Sequence, residues 1–304
     1  MVIPSFTNDA LFKIVFGSAP NLRPLVSLLN AVLGLSGERE IIELTLATPF
    51  LDRDAVDGKS CILDLSAIDA QGRRFNIEVQ VRGQKHFIER ITFYAARFHA
   101  QQLGRGHSYQ ELNTTYSVSF CNFYVWDRQP RDVHSCFTFY DQHNKRELKG
   151  LIELHVFELP QLDKRTFNTL EAMWLHLLKF GSTYATEADL PPQLAKEEEI
   201  VMAIQARNAA LADQLQKALI LSREKYERDQ LSLEADRVEE LQEAVARAEL
   251  EGRLKGELEG RRKGELEGKL EGKLESARNM RDLGFSAADI QKVTGLAAAE
   301  YELI

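Results

Sequence analysis

Two neighbouring strand-like runs carry the side chains best suited to chemistry. The first run, residues 61–69, contains Asp64, and the second, residues 73–81, contains Glu78. In the second run apolar residues alternate with polar ones, which is the period-two pattern of a half-buried strand. The three residues between the runs end in Gly72, and glycine readily supplies the left-handed conformation that a three-residue hairpin loop commonly needs. The sequence therefore predicts a β-hairpin.

The register of this hairpin predicts which side chains face each other. If Asp69 pairs with Arg73, Asp64 lies directly opposite Glu78, and Gln80 lies on the same face. Directly opposed side chains have Cβ atoms about 5 Å apart, and two carboxylates this close repel each other unless a cation or a shared proton lies between them. Oxygen ligands of this kind suit Mg²⁺. The alternative is the solvated face of an amphipathic hairpin, and spacing alone leaves both interpretations open.

The bulk composition is that of an ordinary globular protein. The chain has 304 residues, of which 44% are hydrophobic and 28% charged, and this length is ample for a full hydrophobic core. No apolar run is long enough to span a membrane, and the first residues show no export signal, so we expect a cytoplasmic protein without membrane association. The three cysteines lie in apolar contexts and are predicted to be buried free thiols, and the histidines show no metal-ligand spacing.

The net charge of −8 is unevenly distributed along the chain. Residues 1–185 contain 20 basic and 20 acidic side chains, whereas residues 186–304 contain 18 and 26. An acidic chain would argue against a nucleic-acid partner, because neutralising phosphates is the main source of affinity there. Since the first 185 residues are neutral overall, they can still present a local basic face.

The pattern along the first part of the chain predicts a mixed α/β domain that ends near residue 185. Helices are indicated by capping residues and by apolar residues every three to four positions, and strands by β-branched and aromatic runs. The predicted helices are 10–16, 22–33 and 84–103, and the predicted strands are 40–46, 61–69, 73–81, 115–126, 135–140 and 151–159.

The rest of the chain is predicted to be helical, in three segments. In the first segment, residues 186–250, the stretch from Lys196 to about Leu250 consists almost wholly of good helix formers, and residues 251–275 repeat Gly and Leu on a four-residue spacing. Such a glycine-rich helix is weak alone, so either it orders against a partner helix or it is a fraying charged spacer. Residues 276–304 predict a small helical module whose spacing is similar to a helix-turn-helix. Its last helix lacks basic side chains and Asn, so a protein-docking role is favoured over DNA reading.

The hairpin and its surroundings resemble the PD-(D/E)XK nuclease superfamily and, more closely, the recombination-promoting nuclease (Rpn) family, whose members are often labelled transposases. The resemblance rests on five motifs: Asp9-Ala-Leu-Phe-Lys-Ile-Val-Phe-Gly17, Ile62-Leu-Asp64, Phe75-Asn-Ile-Glu-Val-Gln80, Arg90-Ile-Thr-Phe-Tyr94-Ala-Ala-Arg97 and the Gly-rich tail with its Leu283-Gly-Phe-Ser and Thr294-Gly-Leu ending. It implies an α/β fold with a restriction-endonuclease-like core, in which a mixed central sheet is flanked by helices. A long helical C-terminal extension would follow that core.

The resemblance also implies roles for individual residues. Asp64, Glu78 and Gln80 would be catalytic, and Asp64, Glu78 and the backbone carbonyl of Val79 would bind Mg²⁺ or Mn²⁺. Gln80 stands where the superfamily usually has Lys, and Rpn-like families commonly have Glu-x-Gln here. Lys would orient the attacking water or steady the charge developing on phosphorus, whereas Gln can hold a water only by hydrogen bonds.

The predicted helix after the hairpin carries the candidate DNA contacts. Arg90, Tyr94 and Arg97 share one helical face and resemble the element that flanks the site in related nucleases. The alternative is a solvated face with Tyr94 half buried. Basic residues cluster in the hairpin and this helix, as phosphate binding requires, although ordinary surface arginines would give the same pattern. The cluster comprises Arg73, Arg74, Arg82, Lys85, Arg90, Arg97 and Arg105.

Together, residues and resemblance predict a Mg²⁺-dependent DNA endonuclease of the recombination-promoting, transposase-like type, with low sequence specificity. The alternative is an oligomeric DNA- or protein-binding member of the same fold that has lost turnover along with the Lys. In either case the helical segments from about Lys196 onward predict a homo-oligomer, most simply a dimer.

Overall fold

The structure is a computed structural model that describes residues 3–18, 22–47, 65–83, 85–104, 106–126, 132–163 and 167–301. It comprises two compact units, Met1–Arg228 and Asp229–Ile304. Within the described residues, no helix is long and apolar enough to cross a membrane.

Two capped helices open the first unit, as the sequence predicted. Helix α1 (Asp9–Phe16) begins after Asn8, whose side-chain oxygen accepts a hydrogen bond from the Leu11 backbone N–H at 3.0 Å. This contact satisfies one of the N–H groups that a helix start leaves unpaired. Helix α2 (Arg23–Leu33) ends where Gly34 adopts a left-handed conformation.

The centre of the first unit is a six-stranded mixed sheet with the order β1-β2-β3-β4-β8-β5. β3 pairs with β4 and β4 with β8 in parallel, and the other pairs are antiparallel. A separate two-stranded sheet, β6-β7, lies between β5 and β8 in the chain. The strands are β1 (Leu44–Leu46), β2 (Leu65–Asp69), β3 (Arg74–Gln80), β4 (Thr115–Cys121), β5 (His134–Phe137), β6 (Phe139–Asp141), β7 (Arg146–Leu148) and β8 (Ile152–Glu158).

The predicted hairpin register is confirmed over the described residues of β2 and β3. Leu65 pairs with Ile77, and the Asp69 N–H donates to the Arg73 carbonyl oxygen at 3.1 Å. Gly72 has φ 78°, the left-handed conformation expected of it. Asp64, one residue before β2, lies outside the described residues.

Helices cover both faces of the sheet. The main hydrophobic core lies on one face, where α1 and α2 pack with α4 (Leu170–Phe180) and α6 (Glu198–Ala212). The other face is covered by α3 (Phe87–Ala100), the crossover helix between the parallel strands β3 and β4. α3 confirms the predicted helix with shorter ends, and its buried residues are Phe87, Ile91, Ala95 and Phe98.

Because both faces are covered, the expectation of a half-buried β3 is wrong. Asn76 and Glu78 lie on the face that alternation marks as polar, yet they are 0% and 3% exposed. The physical reason is the parallel β3–β4 pair, whose crossover helix packs back onto the sheet. Parallel strands are normally buried on both faces.

Other strands differ from prediction at their ends. β1 occupies only the last three residues of the predicted strand 40–46, and β4 ends at Cys121 rather than continuing to residue 126. The predicted strand 135–140 is divided between β5 and β6, and β7 was not predicted. Short strands depend on neighbours distant in sequence, which local patterns do not reveal.

The first unit includes the start of the helical region. A short helix, α5 (Pro192–Ala195), precedes α6, and residues Ile200 and Ile204 of α6 are buried in the main core. Helix α7 (Gln214–Asp282) begins within this unit, where Ile220 is also buried. The core therefore uses side chains well beyond residue 185, and the unit extends to Arg228.

In the second unit α7 continues as one helix through the whole Gly/Leu repeat. The repeat glycines have no atom beyond their own helix within 4 Å of an added Cβ. At the end of the unit Ser286 caps α8 (Ala287–Thr294) by accepting from the Asp289 N–H. α8, α9 (Ala298–Tyr301) and the end of α7 share a small core around Ile290 and Tyr301.

Candidate active site

The sheet face beneath α3 is lined with polar side chains. Register places Ser66, Asn76 and Ser117 in one row across β2, β3 and β4, and pairs Glu78 with Ser119 in the next row of that face. All five are buried. The side-chain polar atoms of the three serines and Asn76 have no hydrogen-bond partner among the described residues. Buried polar groups in this state are uncommon and often mark functional sites or ordered water.

Glu78 is the acidic residue at the centre of this polar face. Its side chain is 4% exposed, and its Oε2 lies 3.6 Å from the Arg90 guanidinium on α3. Arg90 is held over the ring of Phe87, 5.8 Å from the centroid. A buried carboxylate is costly unless a cation compensates it. Arg90 provides that compensation from the helix, so α3 sets the electrostatics of the site.

Gln80 and Val79 end the same strand with their side chains on opposite faces. Gln80 is half-buried on the face of Glu78, and its carbonyl oxygen accepts from the Asn122 N–H at 2.8 Å. The Val79 side chain is buried in the main core, so a ligand on the Glu78 face could contact Val79 only through its backbone. With Asp64 outside the described residues, the structure brings Glu78, Gln80 and Arg90 together.

Two buried residues, Cys121 and Glu158, extend the site across the sheet, and the sequence did not identify either of them as part of it. Gln80 pairs with Cys121 and Cys121 with Glu158, so the three form a row across β3, β4 and β8. Burial raises the pKa of the Cys121 thiol, and the Glu158 and Glu78 carboxylates add to this while Arg90 opposes it. The thiol therefore stays protonated. Cys121 confirms the predicted buried thiol.

Glu158 is 1% exposed and positions the chain beyond β4. Its Oε1 accepts from the Val125 N–H at 2.6 Å and the Trp126 N–H at 3.5 Å. It therefore holds the chain after β4 in place, at the far end of the row that begins at Gln80. No sequence signal identified Glu158, because its position next to Cys121 depends on parallel pairing between strands that are far apart in the chain.

The three candidate DNA-contacting residues on α3 are exposed to a similar extent. Arg90, Tyr94 and Arg97 are all half-buried, and the Tyr94 ring packs edge-to-face against Phe93 at 5.5 Å. Each helical residue rises about 1.5 Å, so Arg97 lies roughly 10 Å along the axis from Arg90. The face is continuous with the site through Arg90.

The wider basic cluster does not form one surface. Arg73 is ion-paired with Asp69 and donates to the Arg39 carbonyl oxygen at 2.7 Å. The Arg74 guanidinium lies over the Phe98 ring and donates to the Phe98 carbonyl at 3.4 Å, and burial lowers its pKa. These two arginines lie at the end of β3 remote from Gln80.

Of the remaining basic residues, Arg82 donates to the Glu227 carbonyl oxygen at 3.1 Å, Lys85 is exposed and Arg105 lies outside the described residues. A strand rises about 3.3 Å per residue, so Arg74 and Gln80 at the two ends of β3 lie about 20 Å apart. Arg90 on α3 is the arginine that contacts Glu78.

The donors around Glu78 fit a hard divalent cation. A carboxylate, a side-chain amide, a hydroxyl and a backbone carbonyl all offer oxygen, which suits Mg²⁺ or Mn²⁺. The Ser119 hydroxyl next to Glu78 has no hydrogen-bond partner in the described part of the chain, which is consistent with a polar ligand there. The Cys121 thiol is the exception among these donors, and it is kept protonated.

Comparison with known proteins agrees with this architecture. No curated protein and no solved structure matches the chain. A family model described as PD-(D/E)XK nuclease family transposase matches residues 6–236, which include α1, the whole six-stranded sheet, α3 and the start of α7. Because this match covers more than half of the chain and contains the polar face with Glu78 at its centre, the protein belongs to the PD-(D/E)XK nuclease family transposases.

Proposed function

We propose that this protein is a Mg²⁺-dependent DNA endonuclease that cleaves phosphodiester bonds with low sequence specificity. The observation that carries the proposal is the buried Glu78 carboxylate beside Arg90, on the polar face of a nuclease-family sheet. Nucleases of this family generally use divalent metals and act on DNA.

In this proposal Asp64, Glu78 and the Val79 carbonyl hold the cation. A bound Mg²⁺ would acidify a water molecule and neutralise phosphate oxygens for in-line displacement. Glu78 supplies charge to the ligand set, and Arg90 limits the repulsion between that charge and the incoming phosphate. Asp64 enters through the register expected from the sequence, in which the residue before Leu65 would lie opposite Glu78, and the described register begins at the Leu65–Ile77 pair.

Gln80 has a positioning role toward water in this proposal. It lies two residues from Glu78 on the same face, beside the protonated Cys121 thiol. An amide orients water by hydrogen bonds and adds no net charge, so the positive charge at the site comes from Arg90 and the metal. We expect turnover to be slow for this reason.

Plasmid cleavage with purified full-length protein tests the assignment. Glu78→Gln and Asp64→Asn should each reduce Mg²⁺-dependent nicking by more than about 100-fold, since even residues behind metal ligands cost 10–100-fold. Glu89→Gln is the matched control because Glu89 is exposed on the same helix as Arg90 and should leave the rate unchanged. Nicking that persists in both site variants would refute the proposal.

The second candidate function is a binding protein that has lost turnover, and the absence of Lys at position 80 favours it. It predicts DNA or protein binding without metal-dependent nicking. Gln80→Lys separates the two candidates: a rate that rises indicates a weakened nuclease, whereas a variant as inactive as wild type indicates a binding protein.

We also propose that the protein forms a homo-oligomer through α7. Leu231, Val238, Leu241 and Val245 are all at least 49% exposed in the single chain and recur at intervals of seven, three and four residues. This is the spacing of a coiled-coil seam, and Glu239, Glu240 and Glu243 occupy positions outside it. A second copy of α7 is the occupant that such a seam fits.

A further inference from the structure

We propose that Cys136, Glu153 and His155 form a second metal site, for a zinc-like transition-metal ion, on the sheet face opposite Glu78. One ligand atom from each residue lies within 4.8 Å of the other two. Side chains of one strand alternate between faces, and register places His155 beside Val118, on the main-core side of the sheet. The site is therefore separate from the polar face beneath α3.

The strand pairing at the sheet edge brings these residues together. Cys136 on β5 pairs directly with His155 on β8, and Glu153 lies two residues before His155 on the same face. Cys136 and His155 lie 19 positions apart in sequence, and the whole β6–β7 hairpin lies between them. Their spacing therefore resembles no short metal-binding motif, which explains why the sequence indicated none.

The distances agree with tetrahedral coordination of a zinc-sized ion. The His155 Nε2 lies 3.8 Å from the Cys136 Sγ and 3.4 Å from the Glu153 Oε2. Around a tetrahedral Zn²⁺ with Zn–S of about 2.3 Å and Zn–N or Zn–O of about 2.0–2.1 Å, these separations would be about 3.5 Å and 3.4 Å. These two separations need only a few tenths of an ångström of adjustment, and the Cys136 Sγ and the Glu153 carboxylate lie within 4.8 Å of each other.

A chain of side chains behind His155 orients its ring for metal binding. The His155 Nδ1 lies 2.9 Å from the His134 Nε2, and the His134 Nδ1 lies 3.8 Å from a carboxylate oxygen of Glu171. When His155 donates its Nδ1–H to His134, its Nε2 keeps a lone pair directed at Cys136 and Glu153. Metal-binding histidines are typically held by such a partner on the other nitrogen.

The burial of the three ligands suits an ion that enters from solvent. His155 is buried, Glu153 is half-buried and Cys136 is exposed on the edge strand β5. The prediction that all cysteines are buried is therefore wrong for Cys136, and Cys61 lies outside the described residues. Thiolate, imidazole and carboxylate together favour Zn²⁺ over Mg²⁺. Three protein ligands leave a fourth position for water.

Cobalt substitution tests the site in full-length protein made without a polyhistidine tag. After chelator treatment, one equivalent of Co²⁺ should give a sulfur-to-cobalt charge-transfer band in the near ultraviolet and the visible bands of tetrahedral Co²⁺. Zn²⁺ should displace the Co²⁺ and raise the midpoint of thermal unfolding. Cys136→Ser should abolish the charge-transfer band, and Glu153→Gln should weaken Co²⁺ binding at least about tenfold.

Two controls separate this site from others. The band should persist in Glu78→Gln, which alters only the proposed nuclease site. It should also persist in His107→Gln, since His107 pairs with Glu111 on the surface at 3.0 Å and belongs to no cluster of three metal-ligating side chains among the described residues. Circular dichroism checks that each variant is folded. Wild-type protein without a charge-transfer band, or a band that survives in folded Cys136→Ser, would overturn the proposal.

Discussion

At the scale of single residues, the protein combines buried ionisable groups with partners from distant segments. Glu78 is compensated by Arg90 from α3, and Glu158 accepts hydrogen bonds from the chain beyond β4. Glu227 near the start of α7 is a third case: burial raises its pKa to about 7, Asp9 adds to this, and Arg223 and Arg82 oppose it. Glu227 therefore links the stability of the fold to pH.

Glu227 should make the free energy of unfolding fall as pH rises. Its pKa is 4.5 when unperturbed and about 7 in the fold, so between these values the folded state holds a proton that the unfolded state has released. Its stabilising contribution is complete below pH 4.5 and is lost as pH rises through about 7. Urea unfolding at several pH values should show wild type losing about 1 kcal/mol relative to Glu227→Gln, after allowance for partial exposure.

Glu239→Gln is the control for this measurement, because Glu239 is exposed on the same helix. It should follow wild type at every pH. Parallel curves for wild type and Glu227→Gln would show that the Glu227 proton is not linked to folding.

At the scale of elements, α3 is the part that turns the hairpin into a buried site. Its apolar residues pack on β4 and β8 at Cys121 and Val156, and this contact places Arg90 beside Glu78. α3 follows β3 in sequence and forms the connection to the parallel strand β4. This connection therefore determines both the helix that covers the site and the Arg90 guanidinium that compensates Glu78.

The packing of α3 can be tested by comparing two large side chains on its opposite faces. Ile91 is 1% exposed, whereas Phe93 is 59% exposed. Ile91→Ala should lower the free energy of unfolding by about 2–4 kcal/mol through the lost burial and the cavity left behind. Phe93→Ala should change it by about 0.5 kcal/mol or less. Equal effects in chemical denaturation would mean that α3 does not pack as described.

DNA binding by α3 should appear in the salt dependence of affinity. Replacing Arg90 and Arg97 together by Ala should weaken binding to all sequences about equally and reduce the log–log salt slope by up to about 2, because each phosphate contact contributes about 0.9. Fluorescence anisotropy with chelator present measures this without cleavage. The single variant Arg97→Ala leaves the Arg90–Glu78 contact in place and should reduce the salt slope by about half as much as the double variant.

Lys145 and Lys149 provide the matched control for this loss of charge. Both are exposed and flank β7, in the separate two-stranded sheet. Replacing both by Ala removes the same charge as the double arginine variant and should leave the slope unchanged. Equal salt slopes in the two double variants would show that Arg90 and Arg97 contribute no more to DNA binding than ordinary surface residues.

At the scale of the whole molecule, the chain divides into a sheet-containing unit, Met1–Arg228, and a helical unit, Asp229–Ile304. The predicted division into segments at residues 185, 250 and 275 stays a prediction, although the compact core itself uses Ile220. The second unit has a small core of its own at its end and a long stretch of helix with exposed apolar residues.

Oligomerisation through α7 should be visible by light scattering. Full-length protein should form a dimer, and residues 1–228 should be monomeric because the Leu231–Val245 seam is removed. Leu241→Asp places one charge in the seam and should shift full-length protein toward monomer. Ala246→Asp adds the same charge outside the seam and should leave the dimer intact. Full-length protein that is monomeric throughout would contradict the prediction.

The sequence by itself determined the features that depend on local pattern. The β2–β3 hairpin and its register are specified by two such features. They are the alternation of Phe75, Ile77 and Val79 with polar residues and the left-handed conformation of Gly72. Caps such as Asn8 and Ser286 specify where helices begin. These signals can be recognised in a single sequence because the interacting groups lie within a few residues of each other.

Only the tertiary structure decided which side chains are buried and which distant strands meet. The parallel β3–β4 and β4–β8 pairs bury Glu78 and create the row from Gln80 to Glu158, and the β5–β8 pair joins Cys136 to His155. Alternation along one strand gives the face of a side chain but neither the neighbouring strand nor the helix that covers it. Those depend on packing between segments tens of residues apart, which no local spacing encodes.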